Sequence, residues 1–159
     1  MIKAKKDLGQ NFLIDKVALN KIIELINPSN VEHFLEIGPG QGALTKLLTT
    51  KIKRLDAVEL DEDLLLSLRL INNKKLFIHH ENILNFNVDS ILDYEKIRII
   101  GNLPYNISTE IMLWAFDNLR YFEDMHFMFQ KEFGDRLSAE PNSKSYGRIS
   151  VLTQYLTEL

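Results

Sequence analysis

The sequence predicts an α/β fold, a mostly parallel, Rossmann-like sheet with helices on both of its faces. Three observations predict it. Short apolar runs alternate with stretches whose apolar residues recur at helical spacing. The first apolar run leads directly into a glycine-rich turn, Gly38-Pro39-Gly40-Gln41-Gly42. Polar residues able to hold a ligand recur just past the ends of the other apolar runs, and right-handed crossovers gather those ends along one edge of a parallel sheet.

The elements follow in order. After a basic arm over residues 1–14, Asp15 stands as the N-cap of a helix carrying Leu19, Ile22, Ile23 and Ile26, and Asn27-Pro28 ends it. Phe34–Ile37 is a short buried strand, and the helix after its glycine turn carries Ala43, Leu44, Leu47 and Leu48. Leu55–Leu60 reads as a strand, Glu62–Ile71 as a helix and Leu76–His80 as a strand. Ile97–Ile100 is a strand that runs into Gly101-Asn102-Leu103-Pro104-Tyr105. Ser108 is expected to cap the next helix, striped by Ile111, Met112, Ala115, Phe116 and Leu119. Met125–Phe129 is the fifth strand, and two helical segments then flank the polar loop Glu140–Ser145.

Composition narrows the class. The 159 residues are 45% hydrophobic and 26% charged, enough for one domain with a sizeable core. The longest apolar run, Ile111–Phe116, is far short of a membrane span, and Met1–Asp7 leads into Gly9-Gln10-Asn11 rather than into a signal sequence. The absence of cysteine excludes disulfides and thiolate metal sites and fits a reducing cytoplasm. Neither a membrane nor a metal is expected as a partner. The net charge of -3 is unlike that of a self-sufficient nucleic-acid binder. Positive charge is nevertheless clustered at Lys3, Lys5 and Lys6, at Lys51, Lys53 and Arg54, at Lys74 and Lys75, and at Lys131, Arg136, Lys144 and Arg148.

The glycine turn admits a tight bend and lets a cofactor approach the backbone. Gly38-x-Gly40-x-x-Ala43 also satisfies a relaxed dinucleotide fingerprint, so a nicotinamide dehydrogenase stays open. Glu59 ends the second strand, 21 residues after Gly38, where a carboxylate can accept both hydroxyl hydrogens of an adenosine ribose. Asp61 and Asp63 are read as serving the start of the following helix. Asn82, or Glu81 beside it, follows the third strand and can meet the exocyclic amine of a cofactor's adenine.

Asn102-Leu103-Pro104-Tyr105 is the most informative element. The exocyclic amine of adenine is a poor nucleophile because its lone pair is delocalised into the ring. Two acceptors, the Asn102 side-chain carbonyl and the Leu103 backbone carbonyl, can draw that nitrogen toward tetrahedral geometry and free the pair. Pro104 stiffens the turn and restricts Leu103 before it. Tyr105 offers a flat face to an unstacked base, an interaction worth about 1–3 kcal/mol. With a sulfonium donor no group of unusual pKa is needed, and alignment carries the chemistry.

On these residues the chain resembles the ribosomal RNA adenine dimethyltransferases of the KsgA family. The matching stretches are Leu8-Gly9-Gln10-Asn11-Phe12-Leu13, Glu36-Ile37-Gly38-Pro39-Gly40, Glu59-Leu60-Asp61 and Gly101 through Ser108. Gln130-Lys131-Glu132, Pro141-Asn142-Ser143-Lys144 and Tyr146-Gly147-Arg148 continue the match. The resemblance implies a class I S-adenosylmethionine-dependent methyltransferase fold. It implies that Asn11 and Leu13 close over the methionine end of the cofactor, that Gly38 and Gly40 lie against it, and that Glu59 holds its ribose. Asn102 would touch both the cofactor and the target amine. The implied reaction is dimethylation of two adjacent adenosines in a 16S rRNA hairpin of the assembling small ribosomal subunit.

Two departures stand out. Asn82 occupies a position where the family usually has aspartate; its carbonyl can still accept from an adenine amine. Family members also continue with an antiparallel strand pair and a small helical domain, so the expectation is a catalytic domain over residues 1–159 lacking those final strands and that domain. This leaves open a non-catalytic assembly factor or an inactive fragment. The related large-subunit enzyme of macrolide resistance is a further alternative, though Leu103 and Asn142-Ser143-Lys144 favour the small-subunit one.

Overall fold

The computed structural model describes Lys5, residues 9–93 and residues 95–159. Lys3, Lys6 and Leu8 of the predicted arm lie outside the described residues. Five strands, β1 (His33–Ile37), β2 (Arg54–Glu59), β3 (Leu76–His80), β4 (Ile97–Asn102) and β5 (Phe122–Met128), form one sheet in the order β3-β2-β1-β4-β5. Every pairing is parallel. The helices are α1 (Lys16–Ile26), α2 (Ala43–Leu48), α3 (Glu62–Arg69), α4 (Ser108–Asp117), α5 (Lys131–Leu137) and α6 (Arg148–Leu156).

Period-two alternation along the strands divides the core between the two faces. Phe34, Leu55 and Ile100 turn to one face and pack with Leu19 and Ile23 of α1 and Leu44 and Leu48 of α2. Leu35, Ile37, Val58, Ile97 and Ile99 turn to the other, under α4 and the 3-10 turns Ile83–Asn85 and Val88–Ile91. The Asp15 carboxylate caps α1 by accepting from the Val17 and Ala18 amides, and Asn27, at φ 46°, turns the chain out of it.

Several boundaries differ from the sequence reading. β4 runs on through Gly101 and Asn102, which pair with Phe127 and Met128. β5 starts at Phe122 because a 3-10 turn over Leu119–Tyr121 delivers the chain to the sheet edge early; Leu119 thus falls outside α4, and Phe129 lies beyond the strand. α3 stops at Arg69, and Asn72, at φ 45°, reverses the chain. Ser108 does not cap: it is the first residue of α4, and its hydroxyl donates to the Pro104 carbonyl at 2.8 Å.

Beneath the face covered by residues 83–92 lies a buried carboxylate, Asp56, with no solvent exposure. It accepts from His33 Nε2 and His79 Nε2, each at 2.6 Å, and from Arg54 Nε at 2.7 Å, which ties β1, β2 and β3 together. Burial pushes this carboxyl up, but the bonds from His33, His79 and Arg54 outweigh it and hold the group far below the usual carboxylate range. On the opposite face Arg98 binds Asp124 and Glu32 and donates to the Ile26 carbonyl, which fastens the end of α1 to β4 and β5.

Replacing Asp56 by Asn strands two of these donors, and a broken buried ion pair of this kind costs about 3 kcal/mol. Urea unfolding is expected to show that loss at pH 7. Because the folded pKa lies below the ordinary 3.8, the wild-type advantage is complete above that pH and fades only as pH falls below it.

Candidate functional site

A cavity of about 650 Å³ opens at the C-terminal edge of the sheet, over the tips of β1, β2 and β4. β1 is hydrogen-bonded to strands on both sides, so the chain leaves its two neighbours in opposite directions and a crevice forms above it. The volume suits a ligand of cofactor size.

The floor comes from the glycine turn. Gly38, at φ +60°, has no atom within 4 Å of where a Cβ would stand, and it lines the cavity. Its backbone is thus open to a ligand, and a side chain there would meet both a left-handed conformation and the ligand's space. Glu59 forms one wall. Its Oε2 accepts from the Gly40 amide at 3.1 Å and its Oε1 from the Asp61 amide at 2.9 Å. Burial raises its pKa above the ordinary carboxylate value, and these backbone donors partly offset that. Below it Glu36, 2% exposed, accepts from the Thr45 hydroxyl at 2.7 Å. Burial lifts Glu36 to about 7, the Thr45 bond opposing the rise.

The other wall is the tip of β4. The Asn102 side-chain nitrogen donates to the Asn11 backbone carbonyl at 2.7 Å. With that nitrogen engaged, Oδ1 is left as an acceptor, and no donor among the described residues reaches it. The N-terminal segment passes over the opening. The Asn11 side chain donates to the Tyr105 hydroxyl at 2.7 Å, and the Phe12 ring lies against Gly40.

Of the residues singled out from the sequence, Asn11, Leu13, Gly38, Gly40, Glu59, Glu81, Asn82, Asn102 and Pro104 line the cavity. Asn82 is half-buried, and its side-chain carbonyl caps a 3-10 turn by accepting from the Leu84 amide at 3.0 Å. Leu103 and Tyr105 are not lining residues. The Leu103 side chain is buried in the core, and Tyr105, 39% exposed, stands at the rim with its hydroxyl held by Asn11. Sequence reasoning missed Glu36 and Thr45; a lone acid inside the apolar run Phe34–Ile37 was the available signal. It also missed that Asp61 binds the N-terminal segment, for which no local signal exists. Among the described residues no His, Asp or Glu cluster is arranged to hold a metal, and no helix is long and apolar enough to cross a membrane.

Part of the clustered positive charge is used internally. Lys5 pairs with Asp61 and Asp63, Arg54 with Asp56, and Lys131 with Asp135, while Lys75 donates to the Ile52 carbonyl.

The same fold recurs in solved methyltransferases. A dimethyladenosine transferase from Plasmodium falciparum superposes with a TM-score of 0.79 at 22% identity, covering 91% of this chain and 52% of that one. The 23S rRNA methyltransferase ErmE gives 0.72 at 28% identity, covering 90% and 55%. The fold is that of the class I S-adenosylmethionine-dependent methyltransferases. Within it, the chain belongs to the ribosomal RNA adenine dimethylase family, whose description matches residues 1–159. It is 43% identical to the ribosomal RNA small subunit methyltransferase A of Buchnera aphidicola subsp. Acyrthosiphon pisum, over 97% of this chain and 58% of that protein. The corresponding protein of Tolumonas auensis is also 43% identical, over 99% and 60%. The chain thus spans less than two thirds of the length of these relatives.

The state of Glu36 is testable by stability alone. A folded pKa near 7 against an ordinary 4.5 means the folded protein keeps a proton that the unfolded chain releases. That advantage is full below pH 4.5 and disappears as pH rises through about 7. Glu36→Gln, which keeps the Thr45 bond, is expected to flatten this fall in unfolding curves measured across the range.

Proposed function

We propose that this chain is the catalytic domain of an S-adenosylmethionine-dependent rRNA adenine dimethyltransferase. It dimethylates the exocyclic amines of two adjacent adenosines in a 16S rRNA hairpin of the assembling small ribosomal subunit, in the cytoplasm. The observation that carries this reading is Asn102, whose amide nitrogen is engaged by Asn11, whose Oδ1 remains an acceptor, and which lines the same cavity as Gly38. Identities of 42–44% to small-subunit enzymes, against 28% to the large-subunit enzyme, support the substrate choice.

The residues fit the cofactor. Gly38 provides open backbone for its methionine part, with Gly40 beside it in the same turn, Glu59 can take both ribose hydroxyls, and Asn82 or Glu81 can meet the adenine amine. Residues 9–14, the described part of the arm, would cover it, with Asn11 and Leu13 above the methionine end. When bound, S-adenosylmethionine supplies a methyl group on a positively charged sulfur, already activated toward attack. The chain's own part is alignment. Asn102 Oδ1 and the Leu103 carbonyl accept the two N–H groups of the target amine, which localises its lone pair. Pro104 holds that turn, and the Tyr105 ring at the rim supports the extruded base.

The test supplies labelled S-adenosylmethionine with under-methylated small subunits or with naked large-subunit RNA. Label is expected in small-subunit rRNA. Asn102→Ala is expected to lower that rate about 10²-fold, as for loss of one aligned hydrogen-bonding group, with cofactor affinity changed only a few-fold. Gly38→Ala is expected to abolish cofactor binding while the protein still folds. Label in large-subunit RNA instead would reassign the substrate, and subunit binding with no methylated product would mark an assembly factor.

A further inference from the structure

We propose that Asp61 is a positioning residue that tethers the N-terminal segment to the ribose edge of the cavity, coupling ligand seating at Glu59 to closure of that segment. The coupling rests on the cofactor reading above; the tether itself rests on geometry alone.

Asp61 follows β2 directly and is 4% exposed. Its Oδ1 accepts from Lys5 Nζ at 2.6 Å and from the Asp63 amide at 3.1 Å, and its Oδ2 accepts from Gln10 Nε2 at 2.7 Å. Its own amide donates to Glu59 Oε1 at 2.9 Å. One residue therefore touches both the acid suited to a ribose and the segment that crosses the opening. Lys5 and Gln10 are also bound to each other, the Lys5 amide donating to Gln10 Oε1 at 2.9 Å and the Gln10 amide to the Lys5 carbonyl at 3.3 Å. The next residue, Asn11, takes the segment across to Asn102 and Tyr105. The result is a strap fixed at the tip of β2 and again at the tip of β4.

An acid in this position needs only one acceptor to start α3, for the Asp63 amide. The two further donors drawn from 51 and 56 residues away do nothing for that helix. They serve the strap. Any force that moves the Glu59 carboxylate acts on the Asp61 amide bonded to it, and so on the carboxylate that holds Lys5 and Gln10. Linkage requires the reverse as well: a closed strap favours the ligand-competent placement of Glu59 by the same factor.

Asp61→Asn separates the two roles, because asparagine caps helices as well as aspartate does but offers one acceptor oxygen where three donors converge. In the free protein, amide hydrogen exchange over residues 9–14 is expected to quicken about tenfold, within the usual range of coupling factors, while α3 stays unchanged. S-adenosylhomocysteine is expected to dissociate about tenfold faster, and the KM for S-adenosylmethionine to rise more than kcat falls. Gln10→Ala and Lys5→Ala, which leave the α3 cap intact, should reproduce the effect on the strap. Faster exchange in α3 with none specific to residues 9–14, or unchanged exchange in all three variants, would overturn the tether. Loosened exchange with unchanged dissociation would overturn the coupling. If the wild type binds neither ligand while the variants still loosen residues 9–14, the tether stands and the cofactor reading falls.

Discussion

Parallel pairing of β1 with β2 on one side and β4 on the other is the constraint on which the rest depends. Ile37 is registered with Val58 and with Gly101, so Gly38, Glu59 and Asn102 leave the sheet at one height. The approach of β4 to β1 is close enough to exclude a side chain at Gly101, where a Cβ would stand 2.9 Å from the Ile37 carbonyl oxygen. A slip of one residue would turn every core side chain of the strand to the opposite face. Packing on both faces therefore also holds the site in register.

Buried acids show how the same burial leads to different chemistry. Burial raises the pKa of all of them, and the donors each meets decide the outcome. Asp56 faces two histidines and an arginine and stays anionic, a cross-link between three strands. Glu36 meets one hydroxyl and titrates near neutrality. Glu59 meets backbone amides that oppose the rise without cancelling it, and keeps capacity to accept ligand hydroxyls. The heavily compensated acid stabilises the sheet, and the lightly compensated ones line the cavity.

Most of the fold was legible in the chain. Five strands and the helices between them follow from periodicity, and Asp15 and Asn27 act at the ends of α1 as their chemistry predicts. The errors have physical causes. Ser108 bonds back to Pro104 because the turn before α4 tightens into a 3-10 segment, and β5 starts early because a second such turn precedes it. At the site, nine of the singled-out residues line the cavity, whereas Tyr105 is drawn to the rim by Asn11. That partnership spans 94 residues.

The sequence by itself determined the alternation of strands and helices, the glycine turn after the first strand and the Asn102–Tyr105 turn after the fourth. Those features rest on local periodicity and backbone stereochemistry, which neighbouring residues carry. Tertiary structure decided which charges face the cavity and which face one another: Lys5 went to Asp61, Arg54 to Asp56, and the Asn102 amide to Asn11. Where the partners lie far apart in the chain, as for Lys5 and Asn102, the pairing leaves no trace in local pattern, because only the folded sheet brings them within bonding distance.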